Sequence, residues 1–160
     1  MPSTLLPGSD GVAHRVPGAA LTVLVFFSPT CAYQTSHDGR IRDLYRDYSR
    51  RGVDFFVVDS ESSGSLERDQ REAQSRRYPF PILRDERANL ARALGARYAS
   101  YAVIVDREGR TLYGGAIDGD RVQIRTDTPP YLRNAIDSLL AGRMPPVTQT
   151  EAPGCALQTW

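Results

Sequence analysis

Hydrophobic residues in this chain fall into short blocks whose spacing alternates between strand and helix patterns. Leu21 to Phe27 is almost entirely apolar, as in a strand covered on both faces, and Val53 to Val58 repeats that pattern. Between the two blocks, residues 35–51 carry apolar side chains at helical spacing, namely Ile41, Leu44, Tyr45 and Tyr48. The pattern predicts buried strands connected by an amphipathic helix.

The remaining blocks are shorter. Residues 5–16 predict a hairpin over an Asp-Gly turn, and residues 78–83 are extended because two prolines disfavour helix there. A polar helix is predicted over 65–77, a short helix over 89–94, a hairpin over 102–113 and a last amphipathic helix over 130–141. This order predicts an α/β fold with a mixed central sheet covered on both faces.

The chain divides by composition into a domain and a tail. Residues 1–142 hold all the predicted elements and are enough for one hydrophobic core. Residues 143–160 are rich in proline at their start, show no periodicity and carry Cys155. We therefore expect one domain followed by a C-terminal tail.

Charge and composition exclude several classes of function. The net charge is +1, so no overall field favours nucleic acid or an anionic membrane. All 20 basic residues are arginine, which excludes chemistry that needs a lysine. The longest apolar run is too short for a membrane span. We expect a soluble protein, cytoplasmic if Met1 is the native start and exported if a leader was removed.

One of the two cysteines lies where a thiol is expected to be reactive. Cys31 follows Pro29 and Thr30 at the turn between a predicted strand and a predicted helix. A helix N-terminus presents free N–H groups and the positive end of the helix dipole, which favour the thiolate. The alternative is a buried core cysteine without reactivity.

These segments resemble the thioredoxin superfamily, and most closely the AhpC/TSA redoxins. The resemblance is carried by Val23-Leu24-Val25-Phe26-Phe27-Ser28-Pro29-Thr30-Cys31 and by later strand segments, and it covers roughly residues 4–142. It is closest to a peroxiredoxin-like group that has one cysteine in this turn and another in a C-terminal Gly-Cys tail, here Gly154-Cys155. The resemblance implies a thioredoxin-like three-layer α/β/α sandwich with a mixed central sheet and an N-terminal β-hairpin.

The chain departs from the family at two positions. Gln34 stands where a thioredoxin has its second cysteine and where a peroxiredoxin has its peroxidatic cysteine. Ser100 stands where the superfamily has a cis-proline facing the thiol. If that alignment is right, Ser100→Pro should change the reactivity of Cys31 with a modest loss of stability.

Cys155 is a candidate to resolve oxidised Cys31. About 13 residues separate it from Gly142, and at roughly 3.3 Å each they could reach about 40 Å, back to the active-site edge. The alternative is a free tail cysteine.

Arg97 is the best candidate for a cation near Cys31, and Tyr33 either lines the pocket or packs on the sheet.

Two further groups of residues have less specific patterns. His37 is expected on the helix face away from Cys31, and both it and His14 are interpreted as surface residues. The acidic residues after the second strand are expected to be dispersed without forming a carboxylate pair, namely Glu67, Asp69, Glu72, Asp85 and Glu86.

The favoured function is thiol-based redox chemistry. Cys31 would react as thiolate with a peroxide or a disulfide, and Cys155 or an external thiol would regenerate it. The alternatives are a non-catalytic binding or assembly module of thioredoxin fold, and a metal chaperone or sensor that uses both cysteines. No cofactor and no metal site are predicted, and neither nucleic acid nor membrane is an expected partner. The oligomeric state stays open.

Overall fold

The computed structural model describes residues 1–160. An N-terminal hairpin is formed by β1 (Thr4–Pro7) and β2 (Ala13–Val16), as the Asp-Gly turn predicts. The main sheet contains β3 (Leu21–Phe27), β4 (Val53–Asp59), β5 (Ile82–Arg84), β6 (Ala102–Asp106) and β7 (Thr111–Gly115). The helices are α1 (Ala32–Tyr48), α2 (Leu66–Ser75), α3 (Asn89–Leu94) and α4 (Tyr131–Leu140). None of the four has the length and apolar character that a membrane span requires.

The sheet has the order β5-β4-β3-β6-β7 and is mixed. Strands β3, β4 and β5 run parallel, whereas β6 is antiparallel to both β3 and β7. Because the carboxyl ends of the parallel strands lie at one edge, the turn after β3 lies beside the end of β4, with Phe27 opposite Asp59. This edge carries the candidate site.

Strand residues alternate between two hydrophobic cores, one on each face of the sheet. Val23, Val25 and Phe27 pack on one face with the buried sides of α1 and α4. Leu24 and Phe26 pack on the other face with α3 and the hairpin, and Cys31 belongs to this second core. The predicted three-layer α/β/α sandwich is confirmed.

Both edges of the sheet are covered by other parts of the chain. The hairpin reaches the β5 edge, where Gly8 bridges to Leu83. The tail covers the other edge, where Gly114 of β7 donates to the Thr148 carbonyl at 3.0 Å and accepts from the Thr150 N–H at 3.1 Å. Pairing both edges in this way removes the exposed strand edges that favour aggregation.

Candidate functional site

Cys31 is the N-cap residue of α1. Its backbone is extended, with φ −86° and ψ 120°, and its carbonyl accepts the first helical hydrogen bond from Thr35 at 3.1 Å. The helix begins three residues earlier than the apolar spacing predicts, immediately after the cysteine. No acidic residue lies in the first turn, so the positive end of the helix dipole is not offset there. This position favours the thiolate of reduced Cys31.

Cys31 and Cys155 are joined by a disulfide that spans 124 residues of sequence. Their Cα atoms are 5.7 Å apart, within the ordinary range for a disulfide. The Cys155 N–H also points at the Cys31 sulfur, 3.2 Å away. The two cysteines differ in accessibility: Cys31 is only 1% exposed, whereas Cys155 is exposed.

The tail around Cys155 is held by backbone hydrogen bonds to the loop before β6. The Ala99 N–H donates to the Cys155 carbonyl at 2.8 Å, and the Leu157 N–H donates to the Arg97 carbonyl at 2.9 Å. These two bonds form one antiparallel bridge centred on Tyr98 and Ala156. The Leu157 side chain is buried in the same core as Cys31, which adds apolar stabilisation. The tail is therefore a packed segment of the protein.

Gln34 is fully buried and uses both ends of its amide. Its Oε1 accepts from the Ser100 hydroxyl at 3.0 Å, and its Nε2 donates to the Tyr78 hydroxyl at 3.3 Å. The position of the family's second cysteine and the position of its cis-proline are thus joined by a hydrogen bond. Ser100 therefore contacts the first turn of α1 at Gln34, three residues after Cys31.

Ser100 has a left-handed backbone with φ +66°, and the only cis peptide in the chain is Val16-Pro17. The Ser100 N–H donates to the Phe26 carbonyl at 2.6 Å. Proline requires φ near −65° and has no N–H, so it fits neither feature. The expectation that Ser100→Pro costs only modest stability is therefore wrong.

Pro29 and Thr30 form the exposed side of the turn before Cys31. The Pro29 carbonyl accepts from Arg76 at 2.9 Å, and the Arg76 guanidinium also binds Asp38 at 2.8 Å. The Thr30 hydroxyl lies 3.4 Å from the Ser28 hydroxyl. Burial raises the pKa of Asp38, and the Tyr78 hydrogen bond and Arg76 oppose that rise. Arg76 thus connects the turn to a buried carboxyl that the sequence did not single out.

Arg97 contacts the tail through its backbone. Its side chain is exposed and forms no ion pair, while its carbonyl accepts the Leu157 N–H.

Tyr33 is buried and stacks on the His37 ring with centroids 4.1 Å apart. Burial raises the pKa of Tyr33, and Asp118 adds to that rise. Of its two predicted placements, Tyr33 takes the packed one.

His37 is fully buried, so its assignment to the solvated surface is wrong. Its Nε2 lies 2.9 Å from Asp118 Oδ1 and its Nδ1 lies 2.9 Å from the Tyr33 carbonyl. Arg40 binds the other oxygen of Asp118 at 2.6 Å and also Asp120 at 2.8 Å. Sequence spacing on α1 did not reveal this cluster, because its acidic partners come from the loop after β7.

A buried carboxyl pair is also present, contrary to the expectation of dispersed acidic residues. Asp69 and Asp59 are both fully buried. Burial, and then the neighbouring Asp59, raise the pKa of Asp69 to about 9. Arg68 and Arg84 bind Asp59 at 2.9 and 3.1 Å, whereas neither carboxyl oxygen of Asp69 has a hydrogen-bond partner. A neutral, protonated Asp69 avoids placing two unscreened negative charges side by side in the core.

The metal-binding alternative has few free ligands in this structure. Both cysteines lie in the disulfide, His37 contacts Asp118, and His14 pairs with Asp10 at 2.8 Å. No group of three or more His, Cys, Asp or Glu side chains is arranged to hold a metal ion.

Comparison with known proteins places this arrangement in a family. Residues 12–121 match the Redoxin family, which is more than half of the chain. No curated protein matches the chain. An uncharacterized conserved protein from Geobacillus kaustophilus has a similar crystal structure, with 29% identity, a TM-score of 0.89, and coverage of 99% of this chain and 89% of that one.

Two further solved structures are similar. A hypothetical protein from Sinorhizobium meliloti 1021 has 25% identity and a TM-score of 0.88, with coverage of 99% of this chain and 92% of that one. Peroxidoxin BcpB from Mycobacterium tuberculosis has 18% identity and a TM-score of 0.59, with coverage of 70% and 79%, and at that identity it supports the fold alone. The chain belongs to the Redoxin family, with a thioredoxin-like fold and a general thiol-based redox function.

Proposed function

We propose that the protein is a two-cysteine thiol oxidoreductase in which Cys31 is the nucleophile and Cys155 resolves the oxidised product. The observation that carries this proposal is the Cys31–Cys155 disulfide, formed between a helix N-cap and a tail that the loop at 97–99 binds through backbone hydrogen bonds at Cys155 and Leu157. A disulfide supported by such contacts suits a reversible catalytic pair.

The oxidative half-reaction begins on reduced protein. The Cys31 thiolate attacks one sulfur of a substrate disulfide, forms a mixed disulfide and expels the first substrate thiolate. The Cys155 thiolate then attacks the Cys31 sulfur, forms the internal disulfide and expels the second substrate thiolate. The substrate is thereby reduced by two electrons and the protein is oxidised by two. Because Cys31 is 1% exposed beneath the tail, the tail must move aside for the first attack.

The reductive half-reaction starts at the other sulfur. Cys155 is the exposed partner, so an external thiolate attacks its sulfur and Cys31 leaves as thiolate. The helix N-terminus stabilises that leaving group, which makes this direction of cleavage favourable. A second external thiolate then attacks the mixed disulfide, releases the Cys155 thiolate and completes the cycle.

A disulfide is favoured over a peroxide as the substrate. The backbone groups of Arg97 and Ala99 bind an extended segment in the form of the tail, and a disulfide-bearing segment could use the same groups. Gln34 occupies the peroxidatic position of the family, and its amide is already engaged on both ends. Peroxide is the second candidate because the chain is a Redoxin and a similar structure is named a peroxidoxin. In that case the Cys31 thiolate would attack one peroxide oxygen and become sulfenic acid while the other oxygen leaves as water. The Cys155 thiolate would then attack the Cys31 sulfur, form the disulfide and release a second water.

The experiment is to trap the first intermediate in a Cys155→Ser variant. After reduction, the variant is treated with oxidised glutathione or with hydrogen peroxide, and Cys31→Ser is the matched control. We expect a stable glutathionyl adduct on residue 31 in Cys155→Ser and a much slower reaction in Cys31→Ser. Faster reaction with hydrogen peroxide would favour the peroxide assignment. A Cys31 that reacts with neither oxidant would contradict the proposal and favour a binding module.

A further inference from the structure

A buried chain of hydrogen bonds joins the two backbone segments on either side of the disulfide. One segment is the turn at Pro29, which precedes Cys31, and the other is the loop at Ser100, which follows the residues that bind the tail. We propose that Gln34 is a positioning residue of the redox site, which through Ser100 holds Cys155 over Cys31 and so sets the equilibrium of their disulfide. This inference rests on the proposed function.

The first half of the chain runs from Gln34 to the tail. The Ser100 hydroxyl donates to Gln34 Oε1 at 3.0 Å, and both side chains are at most 1% exposed. Ser100 also has φ +66°, a conformation that costs free energy unless neighbouring contacts hold it. Ala99, the preceding residue, donates to the Cys155 carbonyl at 2.8 Å. The Gln34 contact therefore lies one residue from the backbone group that positions Cys155.

The second half runs from Gln34 to the turn. Gln34 Nε2 donates to the Tyr78 hydroxyl at 3.3 Å, and that hydroxyl donates to Asp38. Arg76 binds the other oxygen of Asp38 at 2.8 Å and the Pro29 carbonyl at 2.9 Å. Every member is buried or half-buried, so each bond is worth more than it would be in water. This series of hydrogen bonds connects the Pro29 carbonyl, two residues before Cys31, to the loop that holds Cys155.

A glutamine suits this position because its amide is an acceptor at one end and a donor at the other. The carbonyl oxygen takes the serine hydroxyl and the NH₂ group takes the tyrosine oxygen, so the direction of both bonds is fixed. Methionine has a similar shape but can make neither bond. A Gln34→Met variant would leave the Ser100 hydroxyl without its buried acceptor, which loosens a loop already held at positive φ.

The expected effect is on the effective concentration of Cys155 at Cys31. With the loop fixed, the reduced tail stays bound near Cys31 and the disulfide forms again readily. With the loop loosened, the tail spends more time apart from Cys31. We expect Gln34→Met to lower the equilibrium constant for the disulfide against glutathione by ~10-fold, which corresponds to one buried hydrogen bond.

The test uses the full chain equilibrated in glutathione buffers of different ratio, with the disulfide measured by alkylation and mass spectrometry. The variants are Gln34→Met, Ser100→Ala and both together, and the matched control is Ser60→Ala. Ser60 is a buried serine that also donates one hydrogen bond, to Asp85 at 2.7 Å. It is not a member of the hydrogen-bonded series that runs from Pro29 to Ser100. Urea unfolding of each reduced variant measures the structural cost separately.

We expect each single variant to shift the equilibrium by ~10-fold and the double variant to shift it no further than Gln34→Met alone, because both single variants remove the Ser100–Gln34 hydrogen bond that holds the loop. Ser60→Ala should lose comparable stability with an equilibrium constant within about two-fold of the wild type. If Gln34→Met leaves the equilibrium unchanged, or Ser60→Ala shifts it equally, the inference is overturned while the proposed function stands.

A second variant covers the case in which Gln34→Met does not fold. Tyr78→Phe keeps the ring and removes only the hydroxyl between Gln34 and Asp38. A shift of the equilibrium in the same direction supports the inference, and no shift overturns it. A wild-type protein that forms no disulfide at any glutathione ratio would overturn both the inference and the proposed function.

Discussion

Gly154 lies directly against the backbone carbonyl of Ala99. A Cβ atom at residue 154 would overlap that oxygen, and the Ala99 carbonyl carbon would lie only 2.9 Å away. The next residue is Cys155, whose carbonyl accepts the Ala99 N–H. The Gly-Cys sequence of the tail is thus explained by close packing of two backbones, since only glycine permits that approach.

Gly154→Ala should therefore weaken docking of the tail. The methyl group must push the tail away from Ala99, and we expect the Cys31–Cys155 equilibrium constant against glutathione to fall at least ~10-fold. Gly39→Ala is the control, because Gly39 lies inside α1 and a Cβ there would meet only one atom, an Arg42 nitrogen at 3.7 Å. The control should leave the equilibrium unchanged and stabilise the helix by roughly 0.5–1 kcal/mol. An unaltered equilibrium in Gly154→Ala would contradict this account of the tail.

Ser100→Pro should destabilise the protein severely. The ring cannot adopt φ +66°, and the substitution removes the hydrogen bond from the residue 100 N–H to the Phe26 carbonyl. We expect a loss of about 3 kcal/mol or more in the free energy of unfolding, measured in urea. Ser100→Gly, which tolerates positive φ, is the control and should retain most of the stability. A proline variant as stable as the glycine variant would mean that this loop rearranges freely.

The sequence predicted the fold well because the strands are long apolar blocks and the helices have clear spacing. It also placed Cys31 at a helix start. It did not reveal why Gln34 replaces a cysteine, because its partners Ser100 and Tyr78 lie 66 and 44 residues away in the chain. The His37–Asp118 contact was missed for the same reason, being 81 residues apart. Local periodicity reports the face of a helix but not which polar groups reach it from other elements.

The Asp69–Asp59 pair predicts a dependence of stability on pH. The pKa of Asp69 is raised in the folded protein to about 9, so the folded state holds a proton that the unfolded state loses near pH 4. That stabilisation is complete below about pH 4 and is lost as the pH rises towards 9. Asp69→Asn, whose amide is neutral at every pH, should gain stability relative to the wild type between pH 5 and 9, on the order of 1–3 kcal/mol.

Urea unfolding of the oxidised protein at pH 5, 7 and 9 measures this difference. Glu67→Gln is the control, since Glu67 is an exposed carboxylate on the same helix and its removal should change the pH dependence little. The charged groups that face Asp69 are Asp59 of β4, Arg84 of β5 and Arg68 of its own helix. A difference between Asp69→Asn and wild type that stays constant over this range would contradict the assignment of a protonated Asp69.

Asp118→Asn should cost stability because it removes the charge that pairs with buried His37 and half-buried Arg40. Burial alone would raise the pKa of Asp118, but hydrogen bonds from His37 and Arg40 lower it below its usual range. A carboxyl with a lowered pKa stabilises the fold above its unfolded pKa, and that stabilisation is lost as the pH falls through the folded pKa. We expect Asp118→Asn to lose about 3 kcal/mol at pH 7, measured by urea unfolding, and to lose less below pH 4. Equal losses at pH 7 and pH 3 would show that the charge of Asp118 is not what matters.

The role of Cys155 as the resolving cysteine is tested most directly by peptide mapping without reductant, after the reduced protein is treated with one equivalent of oxidant. We expect Cys31 and Cys155 to be joined within one chain, and this 124-residue link to raise the free energy of unfolding by up to about 5 kcal/mol over the reduced protein. A persistent sulfenic acid or mixed disulfide at Cys31 beside a free Cys155 thiol would contradict this role, because it would show that the tail cysteine does not resolve the oxidised thiol.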